Sequence, residues 1–326
     1  MGATGDAAQL LERARDGDRS ALARLLSVVE RGGEEARLVG RLAHPAAGSA
    51  HTIGITGPPG AGKSTLTSAL VRVVREAGHR IAVLAVDPSS PFTGGAILGD
   101  RVRMGDHALD DDVFIRSMAS RGHLGGLSLA APEAVRVLDA AGFGFVVVET
   151  VGVGQVEVEV AGETDTTVVV VNPGWGDAVQ ANKAGLLEVA DVFCVNKADR
   201  PGAAEARRDL EQMLDMSATG DWRPPVVDAV ALDGTGVADL WAAILAHRDA
   251  MVASGRLDRD RADRVRVELR RILARRLIEQ AEARAQGESF DAVCAAVVAG
   301  EVDPWDAADG LLAAPVPEAE PTTAPD

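Results

Sequence analysis

Cysteine is nearly absent. Among 326 residues only Cys194 and Cys294 occur, each inside an apolar run. Two thiols so placed read as buried core in a reducing compartment, and they exclude a disulfide framework or a cysteine metal site. Long hydrophobic runs are missing as well. No stretch approaches the ~18 uninterrupted apolar residues of a membrane span. The opening MGATGDAAQLLERARDGD has neither the basic start nor the apolar core of a secretory signal. A cytoplasmic chain with no membrane partner is expected. Basic residues are outnumbered, 33 against 49 acidic, and the net charge of −16 argues against nucleic-acid binding. Lysine is the scarcest cation: Lys63, Lys183 and Lys197 stand against 30 arginines. An ammonium is a compact point charge and a guanidinium a wide planar fork. A lysine that persists here is either a chance survivor or marks a place where arginine cannot substitute.

What is present is the balance of a globular chain, 47% apolar and 25% charged, long enough for one large α/β domain with helical additions. Residues 6–45 repeat Leu10, Leu11, Ala14 and then Leu22, Leu25, Leu26, Val29 at helical spacing. From HTIGITG onward, apolar strands (Thr52–Thr56, Ile81–Val86, Gly144–Glu149, Thr166–Asn172, Val192–Asn196 and Pro225–Val230) alternate with helical patterns such as Leu66–Glu76 and Pro132–Ala140. Near-continuous apolar strands separated by helices predict a mainly parallel sheet covered on both faces. Residues 256–286 form an Arg-rich helical stretch with Val265, Leu269, Ile272 and Leu273 on one stripe, and a further helix is expected around Phe290–Ala299. The expected organisation is a helical extension over 1–48, a nucleotide-binding domain over 49–250, a helical arm over 251–312 and a disordered acidic, Pro-rich tail over 313–326.

The strongest motif is Gly57-Pro58-Pro59-Gly60-Ala61-Gly62-Lys63-Ser64. It satisfies G-x-x-x-x-G-K-[ST] with a strand before it and a helix after it, the context a P-loop requires. Its backbone N–H groups converge on phosphate oxygens and the helix N-terminus adds its dipole. Lys63 is expected along the β- and γ-phosphates and the Ser64 hydroxyl on Mg²⁺, with Thr65 completing the phosphate-binding set. Asn196-Lys197-Ala198-Asp199 follows an apolar strand. A carboxylate at Asp199 can accept from both the ring N–H and the exocyclic amine of guanine, which selects GTP over ATP. Alone the motif could be a polar turn; after a P-loop the guanine reading prevails. Between the two, an apolar strand ends at Glu149, near Mg²⁺ or simply a solvated strand-end acid, and Gly152 can offer a backbone N–H to the γ-phosphate. Asp87 and Asp100 bracket a Gly-, Ser- and Pro-rich segment that is either a switch loop closing on Mg²⁺ or a structural turn. Lys183 is as readily a helix-surface residue as a functional one. The six histidines show no metal-ligand spacing and receive no role.

Taken together these segments resemble the methylmalonyl-CoA mutase-associated GTPases, the MeaB/ArgK family. The resemblance runs through residues 50–245 and includes VDPSSPFTGGAILGDRVRM, FIRSMASRGHLGGLS, VVVETVGVGQ and PGWGDAVQANKAGLLEVAD besides the P-loop and NKAD. It implies a first switch around Asp87 and Asp100, a second from Glu149 to Gln155, and a third, partner-facing switch around Asp177, Gln180 and Lys183 that assists hydrolysis. Where the family places Ser-Ala against guanine, this chain has Val230-Ala231-Leu232, which removes a hydroxyl and keeps a backbone contact. Where the family has Ser-Glu after Gln155, it has Val156-Glu157. The resemblance further implies a homodimer through the C-terminal arm and a Mg²⁺-dependent GTPase that chaperones an adenosylcobalamin-dependent acyl-CoA mutase, with the cobalamin bound only by that partner. A metal-insertion GTPase and a P-loop kinase are the competing readings. The first is disfavoured by the lack of a His-rich tract or paired cysteines, the second by the guanine motif and the lack of an acceptor-site signature.

Overall fold

In the computed structural model, the described residues are 3–88, 107, 109–120, 130–150, 162–174, 188–216 and 221–313. They divide into two compact units, Met1–Arg261 and Ala262–Asp326.

The first unit opens with helices α1 (Ala3–Arg15), α2 (Arg19–Arg31) and α3 (Gly33–Ala43). Asp18 caps α2, its carboxylate accepting from the N–H groups of Ser20 and Ala21 at 2.9 and 3.0 Å. The core alternation follows: β1 (His51–Thr56), α4 (Lys63–Glu76), β2 (Ile81–Pro88), β3 (Val113–Ser120), α5 (Ala130–Ala140), β4 (Phe145–Thr150), β5 (Thr166–Val171), β6 (Val192–Asn196), α6 (Ala203–Met216), β7 (Val226–Ala229) and α7 (Val237–Ala253). The seven strands form one sheet in the order β3-β2-β4-β1-β5-β6-β7, every neighbouring pair parallel.

Runs such as FVVVET in β4 and TTVVVV in β5 are buried at every position, as strands covered on both faces must be. On one face Ile53, Ile55, Val147, Val168 and Val170 pack against Leu66 and Leu70 of α4 and Leu240, Trp241 and Ile244 of α7. On the other, Ala82, Leu84 and Val146 meet α5 and the N-terminal helices through Leu22, Leu25, Leu26 and Val137. Phe193 and Val195 there meet Leu210 of α6. The central place of β1 puts the P-loop at the middle of the sheet's C-terminal edge.

The edge strand β3 has no counterpart among the strands read from sequence. Its VFIRSMAS carries Arg116 and two serines, and Arg116 is absorbed by α2, donating to Ser27 Oγ at 3.1 Å and Glu30 Oε2 at 2.7 Å.

The second unit continues α8 (Arg256–Arg284) and adds α9 (Gly287–Val298) and α10 (Pro304–Ala313). None of these helices contains a buried residue, and Val265, Leu269, Ile272 and Leu273 are all exposed. Cys294 is therefore a correction: Cys194 is buried in β6, where loss of solvation and then Asp228 push its thiol up to about 12, but Cys294 is exposed. The apolar run around Cys294 lies on α9, and among the described residues of the second unit no position is buried. Among the described residues no helix is long and apolar enough to cross a membrane.

Candidate nucleotide site

The phosphate end of the site is built where β1 turns into α4. Gly57 has φ 137° and a Cβ there would strike the Val170 carbonyl of β5. Gly62 has φ 93° and its Cβ would lie 2.5 Å from Asn196 Nδ2. The glycines thus permit backbone conformations and approaches that no other residue tolerates. Lys63 opens α4 and folds its ammonium back across the loop, donating to the carbonyls of Gly57 at 2.6 Å and Pro58 at 3.3 Å. The next residue, Ser64, donates its hydroxyl to Glu149 Oε1 at 2.6 Å. That contact follows from the register, because β4 lies beside β1 with Glu149 opposite Ile55. Both Ser64 and Glu149 are buried.

A hydroxyl and a carboxylate side by side are the hard oxygen donors that Mg²⁺ takes, and Mg²⁺ needs only one or two carboxylates when substrate phosphates supply the rest. Among the described residues no group of three or more His, Cys, Asp or Glu converges. Ser64 and Glu149 are accordingly the described side chains that fit the ion. Asp87 occupies the penultimate position of β2, directly before 89–106. Asp100, Gly152, Gln155, Asp177, Gln180 and Lys183 lie outside the described residues.

The base end is assembled from β6 and the turn after β7. Asn196 ends β6, and its buried amide joins two loops: Nδ2 donates to the Ala61 carbonyl at 2.8 Å and Oδ1 accepts from the Ala231 N–H at 3.1 Å. Lys197 takes the left-handed conformation, φ 60°, and its Nζ donates to the Gly60 carbonyl at 2.7 Å. Asp199, three residues after Asn196, is exposed. The 230–235 turn is held through its backbone, with Val230 N–H on the Thr235 carbonyl at 2.9 Å and the Gly234 N–H on the Val230 carbonyl at 3.0 Å. The turn keeps its form without the family's serine hydroxyl at Val230, while Leu232 is 84% exposed. The double duty of Asn196 is not legible in the linear sequence. The motif's proximity to a P-loop is its only linear signal.

A central P-loop strand, a Ser–acid pair at the phosphate end and an Asn-Lys-x-Asp turn braced on the loop are the parts of a P-loop GTPase. The model of the family described as methylmalonyl-CoA mutase-associated GTPase MeaB matches residues 22–286, and the chain belongs to that family. A Pyrococcus abyssi protein carrying a GTPase designation is 47% identical over 308 residues, covering 93% of this chain and 95% of the relative. The GTPase ArgK of Escherichia coli is 42% identical over 78% of this chain and 80% of its own. The mouse mitochondrial methylmalonic aciduria type A homolog is 34% identical over 80% of this chain and 65% of its own. Among solved structures, an LAO/AO transport system kinase superposes with a TM-score of 0.70 at 31% identity, over 94% of this chain and 97% of that one.

Proposed function

We propose that this GTPase uses Mg²⁺ and serves as the chaperone of an adenosylcobalamin-dependent acyl-CoA mutase, gating loading of the cofactor and protecting or reactivating the mutase. The observation that carries the reading is the family match over residues 22–286, which spans the P-loop, the guanine turn and α8, in a family named for its association with a mutase. The mouse relative's name, from methylmalonic aciduria, points the same way.

At the phosphate end, Lys63 would exchange its carbonyl partners Gly57 and Pro58 for the β- and γ-phosphate oxygens. P-loop N–H groups would take the charge that grows as the bond from the γ-phosphorus to the bridging oxygen breaks. Ser64 and Glu149 would hold Mg²⁺, which supplies Lewis-acid neutralisation of those oxygens. At the other end Asp199 would accept the two N–H edges of guanine. No described side chain beside the phosphate end is a strong base, and Glu149 is engaged by Ser64. As the family resemblance implies, positioning of the attacking water falls to the segments containing Gln155 and Lys183, and intrinsic turnover is slow until a partner arrives. The exposed stripe Val265, Leu269, Ile272 and Leu273 supports a homodimer through α8.

The test is GTP and ATP hydrolysis, each measured with and without candidate cobalamin-dependent mutases, with and without Mg²⁺. Hydrolysis confined to GTP with Mg²⁺, and raised many-fold by one mutase, is expected. GTP turnover indifferent to every mutase removes the chaperone role, and phosphate transferred to an acceptor instead of water would favour the kinase reading.

A further inference from the structure

At the N-terminal ends of the strands, away from the P-loop, one guanidinium collects oxygens from two segments. Arg261 donates through Nε and Nη2 to the two oxygens of Asp165 at 3.0 and 2.6 Å. It also donates through Nη1 to the Gly48 carbonyl and through Nη2 to the Ala50 carbonyl, both at 2.7 Å. The amides of the same short stretch are taken by α5. The Asp139 carboxylate accepts from the N–H groups of Gly48, Ser49 and Ala50, and from the Ser49 hydroxyl at 2.9 Å. Residues 48–50, which lead into β1, thus have carbonyls held by the first turns of α8 and amides held by α5. Asp165, which leads into β5, also accepts from the Thr52 N–H at 3.0 Å and returns its own N–H to Thr52 Oγ1 at 2.8 Å.

The arrangement is demanding. Asp165 is 3% exposed, and a buried carboxylate needs both a counter-charge and filled lone pairs. The fork of arginine meets a carboxylate with two parallel bonds and still has donors for the carbonyls, which lysine cannot do. Apolar packing does not replace it, since α8 has no buried residue. At their other ends, about 20 Å along six-residue strands, β1 enters the P-loop and β5 carries the Val170 carbonyl that Gly57 approaches.

We propose that Arg261 is a positioning residue that makes the root of α8 part of the cooperative structure of the nucleotide-binding unit, so that nucleotide bound at one end of β1 and β5 is registered at the start of the C-terminal helices. Hydrogen exchange on the full chain tests this. A ligand bound only by the folded unit, present at about 100 times its Kd, slows exchange through global opening about 100-fold and leaves local fraying unchanged. In the wild type, GDP slows the amides of residues 260–264 by the same factor as those of β1. In Arg261→Ala the 260–264 amides exchange faster and lose the GDP response while β1 retains it. Asp165→Asn, which keeps the side chain's shape, produces the same loss from the other partner. Wild-type 260–264 amides that ignore GDP while β1 responds overturn the proposal, as does an undiminished response in a folded variant. β1 amides indifferent to GDP would remove nucleotide binding itself and the proposal with it.

Discussion

Replacing Asn196 by alanine removes one side chain and opens two loops at once. Its amide holds the Ala61 carbonyl in the P-loop and the Ala231 N–H in the 230–235 turn, and both partners are buried, Ala61 fully and Ala231 at 8% exposure. Each buried group left without a bond costs about 1–3 kcal/mol. Water entering the space recovers part of the sum, which leaves about 3 kcal/mol. Placed entirely on nucleotide affinity, that is about 100-fold in Kd. Placed entirely on the apo fold, it is about 6–12 °C in Tm for a unit of this size. Titration calorimetry with GDP and scanning calorimetry without it measure both shares. Asn196→Asp separates bonding from packing. It preserves volume and the acceptor for Ala231, but turns a carboxylate oxygen toward the Ala61 carbonyl, so it should bind no better than the alanine variant. An aspartate variant like wild type, or an alanine variant within twofold in Kd and 1 °C in Tm, refutes the reasoning.

Two further outcomes follow from the geometry. Asp199→Asn exchanges an acceptor pair for one acceptor and one donor, which suits xanthine and not guanine. A competition assay should show a loss of GTP binding of at least about 100-fold and a gain for xanthosine triphosphate, and unchanged preference would mean that Asp199 does not read the base. His247 is 1% exposed, its Nδ1 2.9 Å from Thr166 Oγ1 and its Nε2 3.2 Å from Asp191 Oδ1, with Trp222 against the ring. Loss of solvation first, then the charges of Arg256 and His51 against the opposing pull of Asp165, lower its pKa from 6.5 to about 4. A His held neutral in the fold contributes stability that is complete above pH 6.5 and is lost as pH falls from 6.5 through 4, on the order of 3 kcal/mol. Melting curves of wild type and His247→Gln should converge across that window, and parallel curves would show that His247 is not titrating there.

The chemistry-bearing motifs were legible in the sequence because each is local. A P-loop must be a glycine-rich turn between a strand and a helix, and residues 57–64 contain all of it. The Asn-Lys-x-Asp turn sits at the end of a run of buried residues that announces itself as a strand. Boundaries agree within a few residues for β1, β2, β4, β5, β6 and β7, whose apolar runs admit little else. The failures have one cause, a missing neighbour. β3 alternates poorly, and its Arg116 makes sense only against Glu30 of α2. α10 lies inside the stretch expected to be helical, but as a separate ten-residue helix it rests on no apolar pattern of its own. Cys294 reads as core by composition and is exposed because nothing in the described part of its unit packs over its helix closely enough to bury it.

The GTPase class and the parallel α/β plan were legible in the sequence alone, since stereochemistry ties the motifs and strands that announce them to residues a few positions apart. Only the tertiary structure decided which distant groups share a bond. Ser64 reaches Glu149 because β4 lies beside β1, and Asn196 spans from residue 61 to residue 231 because β6 and β7 end together. Arg261 becomes the counter-charge of Asp165 because α8 starts where β1 and β5 begin. Each pairing joins residues between 35 and 135 positions apart. No periodicity extends over such distances, and the contacts exist only once buried apolar surface has drawn the strands into one sheet.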